Sequence, residues 1–229
     1  MLNRILKRGS EANSAPKLVK ANSATEVNAR LDVLGRDWMY GFDFGHGVGV
    51  APYTEYLAES HQTRLQMLEP ELHRTFDGRW DSVSVLDLAC NEGWWSFQVA
   101  RMGAAQVTGL DARDFNVDRA NFVKAQTGAD NVTFGRADAV AFDPAQYGTF
   151  DLVLCLGLLY HVENPMGLLR RLHAVTRELC VIETEVARPA TITVDRGPAD
   201  GLLTTEHAFA IASEPYYRDN SIASVKGVS

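Results

Sequence analysis

The sequence lacks any apolar run close to the roughly 20 residues that a membrane-spanning helix needs. Positive charge is also scarce, because 22 lysines and arginines stand against 29 aspartates and glutamates in 229 residues, for a net charge of −7. This acidic total gives a nucleic acid no general attraction, although a local basic patch is compatible with it. We therefore expect a soluble protein of one domain, with or without an appendage, that acts on a small molecule.

Cysteine is rare as well, and the three that occur exclude a disulfide framework. Cys90, Cys155 and Cys180 each lie in or beside an apolar run that is typical of a buried strand. Neither their odd number nor their spacing fits paired bridges or a zinc site. We predict three reduced core thiols, no metal site and a cytoplasmic location.

Two glycine-rich phosphate signatures are missing from the chain. A dinucleotide oxidoreductase carries G-x-G-x-x-G after its first strand, so that a pyrophosphate lies on the helix N-terminus. The corresponding positions hold Ala89, Asn91 and Trp94 or Trp95, and bulky tryptophans would crowd a pyrophosphate. There is also no G-x-x-x-x-G-K-[ST], which excludes a P-loop. The ligand of this fold is therefore expected to lack a pyrophosphate.

Five apolar runs, separated by amphipathic segments, dominate the second half of the chain. Runs that are apolar throughout indicate a parallel sheet buried on both faces, with right-handed crossovers. The fold class is therefore doubly wound α/β, a Rossmann-like sheet with strand order 3-2-1-4-5. The predicted strands are Ser84 to Leu88, Gln106 to Leu110, Val132 to Arg136, Phe150 to Leu156 and Leu179 to Thr184.

The chain divides into four segments by composition. Before the sheet we predict a helix from Ser23 or Thr25 to Leu34 and two more, Thr54 to Leu68 and Glu71 to Phe76, with Leu65, Met67, Leu68 and Leu72 as their apolar positions. Between them, residues 37–50 combine aromatics with glycines, so this stretch either walls a pocket or plugs the core. The predicted segments are a flexible arm 1–22, a helical and aromatic cap 23–80, a core 81–187 and a loop-rich tail 188–229.

Aspartates follow three successive strands of the predicted sheet. In a doubly wound sheet the ligand lies beyond the carboxyl ends of the strands, where the strand order reverses. Asp87 stands before a turn of small residues, where it suits a cationic ligand without phosphate. Asp111 suits a pair of ribose hydroxyls, and Asp138 suits an adenine amino group. Each alone could be a helix cap or turn residue, but together they predict a ligand that carries adenosine.

Four motifs in this order resemble those of class I S-adenosylmethionine-dependent methyltransferases, over roughly Trp38 to Val186. The Tyr-His end of the last motif, followed by Asn164-Pro165 and Leu168-Leu169, is similar to the subgroup that includes the tRNA wobble-uridine carboxymethyltransferases. The motifs are Val85-Leu-Asp-Leu-Ala-Cys-Asn-Glu-Gly93, Gly109-Leu-Asp111, Ala137-Asp138 and Phe150-Asp-Leu-Val-Leu-Cys-Leu-Gly-Leu-Leu-Tyr-His161.

The resemblance implies S-adenosylmethionine as the cofactor and a role for each motif. Asp87 would hold the methionine part together with the turn, Asp111 with Ala112 the ribose, and Asp138 with Ala139 the adenine; Leu156 to Tyr160 would form the floor under the sulfonium. The turn residues in question are Ala89, Cys90, Asn91 and Gly93. Asn91 replaces a glycine of the family, which is tolerable because asparagine also adopts positive φ.

Two departures from the family shape the expectations. The basic residues with which the carboxymethyl branch binds its extra carboxylate have no match, and Tyr160 alone does not neutralise one, so ordinary S-adenosylmethionine is favoured. The hairpin that closes the family fold is not recognisable after Val186. Either the sequence is a fragment, or the edge of the fifth strand is covered by the tail or by a partner, which would make a homo-oligomer.

The predicted reaction is methyl transfer to O or N of a small-molecule, sugar or lipid-linked acceptor. His161 is the first candidate for a general base, because it follows the fourth strand and titrates near neutrality. Two alternatives stay open: a tRNA wobble-uridine modifying enzyme, which the acidic charge disfavours, and a non-catalytic module with a methyltransferase fold. Weaker candidates for contacting the acceptor are His46, Tyr53, Glu183 and Glu185.

Overall fold

The computed structural model describes residues 23–185. The predicted arm 1–22, the tail 188–229 and the question of a closing hairpin lie outside the described residues. Helix α1 (Ala24–Leu34) begins at Ser23, whose hydroxyl accepts from the backbone N–H of Glu26 while the Glu26 carboxylate accepts from the N–H of Ser23. This reciprocal capping box fixes the start of the cap.

A two-stranded hairpin and one long helix complete the cap. The hairpin pairs β1 (Phe42–Asp43) with β2 (Gly49–Val50), and α2 runs unbroken over Glu55–Thr75. The prediction of two separate helices in this region was wrong, because Pro70 lies inside α2. Proline removes one hydrogen bond of the helix, but buried Leu65 and Leu72 anchor α2 on both sides of it.

Met67 was also wrongly predicted as an apolar contact. Its side chain is 69% exposed, whereas His61, Leu65 and Leu72 are buried on the other face of α2. A helix places residues 3, 4, 7 and 11 positions apart on one face, and position 67 falls outside that set.

The core is a five-stranded parallel sheet with the predicted order, β5-β4-β3-β6-β7. The first four strands of this sheet in chain order agree with the predicted ranges, except that β4 continues by one residue to Asp111. Because all five strands run parallel, their carboxyl ends meet at one edge of the sheet. The strands are β3 (Ser84–Leu88), β4 (Gln106–Asp111), β5 (Val132–Arg136), β6 (Phe150–Leu156) and β7 (Thr176–Glu183).

Strand β7 differs from its prediction at both ends, because it begins at Thr176 and ends at Glu183. The early residues are polar, so an apolar-run criterion misses them. They extend the edge strand because their side chains are paired: the Arg177 guanidinium lies 2.8 Å from the Asp151 carboxylate, and Glu178 is paired with Arg79. An edge strand with charged side chains is a common way to limit unwanted strand pairing.

Helices cover both faces of the sheet. On one face α3 and α4 pack with the cap, and on the other α6 buries Leu168, Leu172 and Val175. The Asn164 side chain accepts from the N–H of Gly167 and begins α6, as the sequence indicates. No helix among residues 23–185 combines the length and the apolar character needed to cross a bilayer. The helices are α3 (Trp94–Arg101), α4 (Asp114–Thr127), α5 (Pro144–Tyr147) and α6 (Pro165–Val175).

The aromatic and glycine-rich residues 37–50 both fill the core and line a cavity, which are the two roles that the sequence suggested. Trp38, Phe42 and Phe44 are buried in the same apolar cluster as α3 and α4, so they plug the core. Met39 and Tyr40, which lie between Trp38 and Phe42 in the chain, line a cavity. The three cysteines are unpaired thiols, with Cys90 and Cys155 buried and Cys180 partly buried.

Candidate active site

A cavity of about 440 Å³ lies at the carboxyl edge of the sheet, between the strand ends and the cap. Its size is within the range of small-molecule sites, and its position is the point where the strand order reverses from β3 to β4 on one side and β6 on the other. Nine of the predicted site residues line it: Ala89, Asn91, Asp111, Ala112, Asp138, Ala139, Leu156, Tyr160 and His161.

The turn after β3 approaches the cavity through an unusual backbone. Ala89 and Asn91 both adopt positive φ, at 61° and 52°, and Gly93 follows at 79°. A Cβ on Gly93 would stand 2.5 Å from the ring of Phe134, so only glycine fits where α3 begins. Non-glycine residues in this conformation are uncommon and cluster at functional sites. Cys90 and Gly93 belong to the same turn but do not line the cavity.

Asp87 is also outside the lining, buried beneath the turn. Its carboxylate is 3% exposed and accepts a hydrogen bond of 2.7 Å from the Ser96 hydroxyl. Burial raises the pKa of Asp87 to about 6, the Ser96 hydrogen bond offsets part of that rise, and the nearby charge of Asp111 adds to it. A positive charge in the cavity would favour the ionised form of this carboxyl group.

Asp111 is held in a fixed orientation at the end of β4. Its carboxylate accepts from the backbone N–H of Asn91 at 3.0 Å, from the N–H of Arg113 at 2.9 Å and from the Asn116 side chain at 3.0 Å. An ionised carboxylate offers roughly four acceptor positions. Three are therefore used inside the protein, which leaves about one for a ligand hydroxyl.

Asp138 lies at the end of β5 among small side chains. One carboxylate oxygen accepts from the N–H of Val140 at 2.8 Å. Ala137, Ala139 and Val140 line the cavity beside it. A flat, apolar ring with an amino group at its edge would suit this corner, since the alanines leave room for the ring and the carboxylate accepts from the amine.

One wall of the cavity comes from α2, which the sequence analysis did not identify as part of the site. Leu57, Ser60, His61 and Arg64 line the cavity at positions i, i+3, i+4 and i+7, which places them on one helix face. Tyr53 and Tyr56 line it where α2 begins. The sequence signal for this wall is the helical spacing of the four residues. Because the four side chains are chemically different, an apolar group, a hydroxyl, an imidazole and a guanidinium, they form no recognisable binding motif.

His61 is a buried, neutral member of this wall. Its Nε2 lies 3.1 Å from the carbonyl oxygen of Met39, and because a carbonyl only accepts, Nε2 carries the proton. Burial lowers the pKa of His61 to about 4, although the Met39 carbonyl raises it in part. The ring lies 4.2 Å from that of Tyr40, which in turn stacks on Trp94 at 5.5 Å.

Glu92 ties the cap to the turn after β3, and its role was also missed from the sequence. Its carboxylate is 1% exposed and accepts from the backbone N–H groups of Met39 at 3.1 Å and Tyr40 at 3.0 Å. It also accepts from the Arg119 guanidinium at 2.8 Å. Arg119 further donates to the carbonyl oxygens of Leu34 and Asp37 at 2.8 Å each. This Glu92 latch holds two cavity residues, Met39 and Tyr40, against the turn.

His161 and Tyr160 lie next to each other after β6, with ring centres 4.2 Å apart, and both line the cavity. Burial lowers the pKa of His161, and the carboxylate of Glu185 raises it in part. Of the weaker acceptor candidates, Tyr53 and Glu185 line the cavity as well. His46 does not line it, and Glu183 is linked to it through Arg64, whose guanidinium lies 2.9 Å from the Glu183 carboxylate.

Two of the curated relatives that match parts of the chain illustrate the similarity. The tRNA U34 carboxymethyltransferase of Desulforapulum autotrophicum is 33% identical over 103 residues, covering 43% of this chain and 31% of the relative. The ubiquinone biosynthesis O-methyltransferase of Shewanella pealeana is 36% identical over 86 residues, covering 38% of this chain and 36% of the relative. The chain thus spans about a third of the length of these relatives.

A solved structure shares the fold. The N-terminal domain of EvdMO1, crystallised in the presence of SAH and D-fucose, is 31% identical with a TM-score of 0.56, covering 68% of this chain and 62% of that domain. A family model described as a methyltransferase domain matches residues 80–197, which contain β3 to β7 and the predicted cofactor motifs. Because that match takes in more than half of the 229 residues, the chain belongs to the methyltransferase domain family.

Proposed function

We propose that this protein binds S-adenosylmethionine and transfers its methyl group to an oxygen or nitrogen atom of a small, uncharged acceptor. The observation that carries the proposal is the cavity at the switch point of the sheet, with the ends of β4 and β5 contributing Asp111 and Asp138 and with Asp87 beneath the turn after β3. In this proposal residues 81–187 supply the cofactor site and residues 23–80 the acceptor wall.

The residues present fit this cofactor in charge and shape. Asp111 has about one acceptor position left for a ribose hydroxyl, Asp138 can accept from an adenine amine, and the Ala89 and Asn91 backbone approaches the methionine part. Asp87 adds negative charge below a cationic ligand. The relative solved with SAH, the N-terminal domain of EvdMO1, supports the same cofactor.

Ordinary S-adenosylmethionine suits the cavity better than its carboxylated form. The two arginines in the lining each have a carboxylate partner: Arg64 lies 2.9 Å from Glu183, and Arg113 lies 3.6 Å from Asp111. An additional carboxylate on the cofactor would therefore meet no uncompensated cation among the lining residues. A buried charge without a partner is strongly unfavourable.

The chain's own residues mainly align the reactants and exclude water. When bound, the cofactor supplies a methyl group activated by a sulfonium, and the electron pair of the broken carbon–sulfur bond stays on sulfur. A lone pair of the acceptor forms the new bond to the methyl carbon. His161 takes the acceptor proton, for which its lowered pKa keeps it neutral and ready near pH 7.

The experiment is a transfer assay with methyl-labelled S-adenosylmethionine and purified protein. Panels of neutral sugars, phenols, amines and bulk tRNA are scored for label, with His161→Asn as a variant that keeps a polar side chain. We expect label in a small neutral acceptor. The rate of the variant should fall below that of the wild type mainly near and above neutral pH, where the wild-type His161 is unprotonated and can take the proton, and the two rates should converge at low pH. Transfer to tRNA alone, with binding that weakens steeply as salt rises, would favour the tRNA alternative instead.

A protein that binds the cofactor but labels nothing across all panels would support the non-catalytic alternative. The tRNA alternative has several relatives in its favour, among them the carboxymethyltransferase of Desulforapulum autotrophicum. Against it stands the net charge of −7. The cytoplasmic location and an oligomer formed through the edge of β7 remain predictions, which fractionation and light scattering would check.

A further inference from the structure

The acceptor side of the cavity is polar and carries its own ion pair. Arg64 on α2 and Glu183 at the end of β7 join the two walls, with Nη2 and Oε1 2.9 Å apart. Both side chains are 32% exposed, so the pair is open to a ligand without being surrounded by water. Among residues 23–185, the Arg64 guanidinium donates its hydrogen bond to Glu183. The remaining N–H groups of the guanidinium are available as donors to a ligand.

Among the described residues, the second oxygen of Glu183 has no hydrogen-bond partner. Oε2 is buried and accepts no hydrogen bond, although a buried carboxylate oxygen is costly to leave unsatisfied. It lies beside Gly157, a lining residue with φ of 72°. A Cβ at Gly157 would stand 3.6 Å from both Glu183 Oε2 and the Tyr160 hydroxyl oxygen. Glu183 Oε2 therefore lies just behind the cavity wall at Gly157.

The charges of the lining exclude an anionic acceptor. Arg64 is compensated by Glu183 and Arg113 by Asp111, while Asp138 and Glu185 add negative charge to the same lining. A phosphate or carboxylate on the acceptor would therefore be repelled. A polyanion such as RNA fits this wall least well.

The polar groups also exceed what a simple phenol could satisfy. Besides Arg64, the lining contains Ser60 and two tyrosines, Tyr53 and Tyr56. The two tyrosine side chains are 57% and 76% exposed, so their rings are free to lie against one face of a ligand ring. A ring that combines apolar C–H faces with several hydroxyls at its edge matches both features.

We propose that the acceptor is a neutral sugar-like ring, and that Arg64 and Glu183 select it by binding two neighbouring hydroxyls. One hydroxyl donates to the Glu183 carboxylate, and the other accepts from the Arg64 guanidinium. This inference rests on the proposed function, since it concerns the acceptor half of the same cavity. It assigns the choice of acceptor to an ion pair that is formed by one residue from α2 and one from the end of β7.

The test is a charge-dependent change of specificity. Protein saturated with SAH is titrated with D-fucose and D-glucose as neutral probes, and with D-glucuronate as an anionic probe of the same ring type. Wild-type protein is expected to bind a neutral probe and not the uronate. Glu183→Gln leaves Arg64 uncompensated, so we expect neutral binding about tenfold weaker or more, with the uronate now bound at least as well. Arg64→Gln should lose both.

Two controls separate this outcome from general damage. Glu59→Gln makes the same change at an exposed position of α2, and it should bind all probes like the wild type. The SAH affinity of every variant should stay within about twofold, because the pair does not belong to the proposed cofactor half. Unchanged probe preference in Glu183→Gln, or no binding of any neutral probe to SAH-saturated wild type, would overturn this inference. Failure of SAH itself to bind would instead overturn the proposed function.

Discussion

Replacing Glu92 by glutamine should loosen the cap from the cofactor turn. Glu92 Oε1 accepts from Met39 and Arg119, and Oε2 accepts from Tyr40. Both carboxylate oxygens of Glu92 accept hydrogen bonds, whereas a glutamine has one acceptor oxygen and one NH₂ donor. The NH₂ group of the glutamine would therefore face another N–H donor and lose that hydrogen bond. The same change removes the negative charge opposite the buried Arg119 guanidinium, whose side chain is 10% exposed.

The structure sets the size of the effect. Removing one partner of a buried ion pair costs about 3–5 kcal/mol, largely because the other charge stays buried and unpaired. Arg119 keeps its bonds to the carbonyl oxygens of Leu34 and Asp37, and its guanidinium lies 4.8 Å from the Trp38 ring. We therefore expect the lower end of the range, a loss of about 3 kcal/mol in the free energy of unfolding.

Urea denaturation of the protein without cofactor measures this loss, and cofactor titration under native conditions measures its functional result. Glu178→Gln is the matched control, because it removes a glutamate from an exposed pair with Arg79 that solvent screens. Cofactor affinity should fall in Glu92→Gln alone, because Met39 and Tyr40 line the cavity. If Glu92→Gln were no less stable than Glu178→Gln, the latch would not hold the cap.

Three further predictions concern ionisable residues of the cavity. Asp111→Ala should weaken cofactor binding by about 1–3 kcal/mol through lost charged hydrogen bonds, whereas exposed Asp114→Ala should not, and equal calorimetric affinities would show the ribose site to be misplaced. Because the pKa of Asp87 is raised to about 6, cofactor affinity should decline below that pH, and binding near pH 6 should release a proton. Asp87→Asn should abolish this proton release. Release that persists in the variant would exclude Asp87 as its source. The pKa of His61 is lowered from 6.5 to about 4, so the unfolded chain binds one more proton between these values. The free energy of unfolding should therefore decrease as the pH is lowered from about 6.5 to about 4, by at most about 1.4 kcal/mol per pH unit. His61→Gln should flatten that slope in chemical denaturation, and an unchanged slope would assign it elsewhere.

The sheet could be predicted from the sequence because its strands are local patterns. Mostly apolar runs such as Ser84–Leu88 and Phe150–Leu156 are bounded by turn residues, and their alternation with helices leaves few topologies. The start of β7 could not be predicted this way, since Thr176 to Glu178 are polar and join the sheet through pairs with residues far away in the chain.

The two sides of the candidate site, the strand ends and the cap, also differ in how far local sequence predicts them. Asp111 and Asp138 are predictable positions, because a residue that directly follows a parallel strand must lie at the ligand edge. The wall on α2 and the Glu92 latch depend on contacts between distant residues, such as the bond from Met39 to Glu92, 53 positions apart. No local pattern around Glu92 indicates that partner, and the continuity of α2 through Pro70 depends on packing by Leu65 and Leu72.

Calorimetric titration with S-adenosylmethionine, and with NAD in parallel, tests the central claim most directly. The account predicts saturable binding of one S-adenosylmethionine per chain and no heat from NAD, since Trp94 and Trp95 stand where a pyrophosphate would need glycine. Asp111→Ala in the same experiment shows whether the binding is at the described cavity. No heat with S-adenosylmethionine, or tight binding of NAD, would contradict the account.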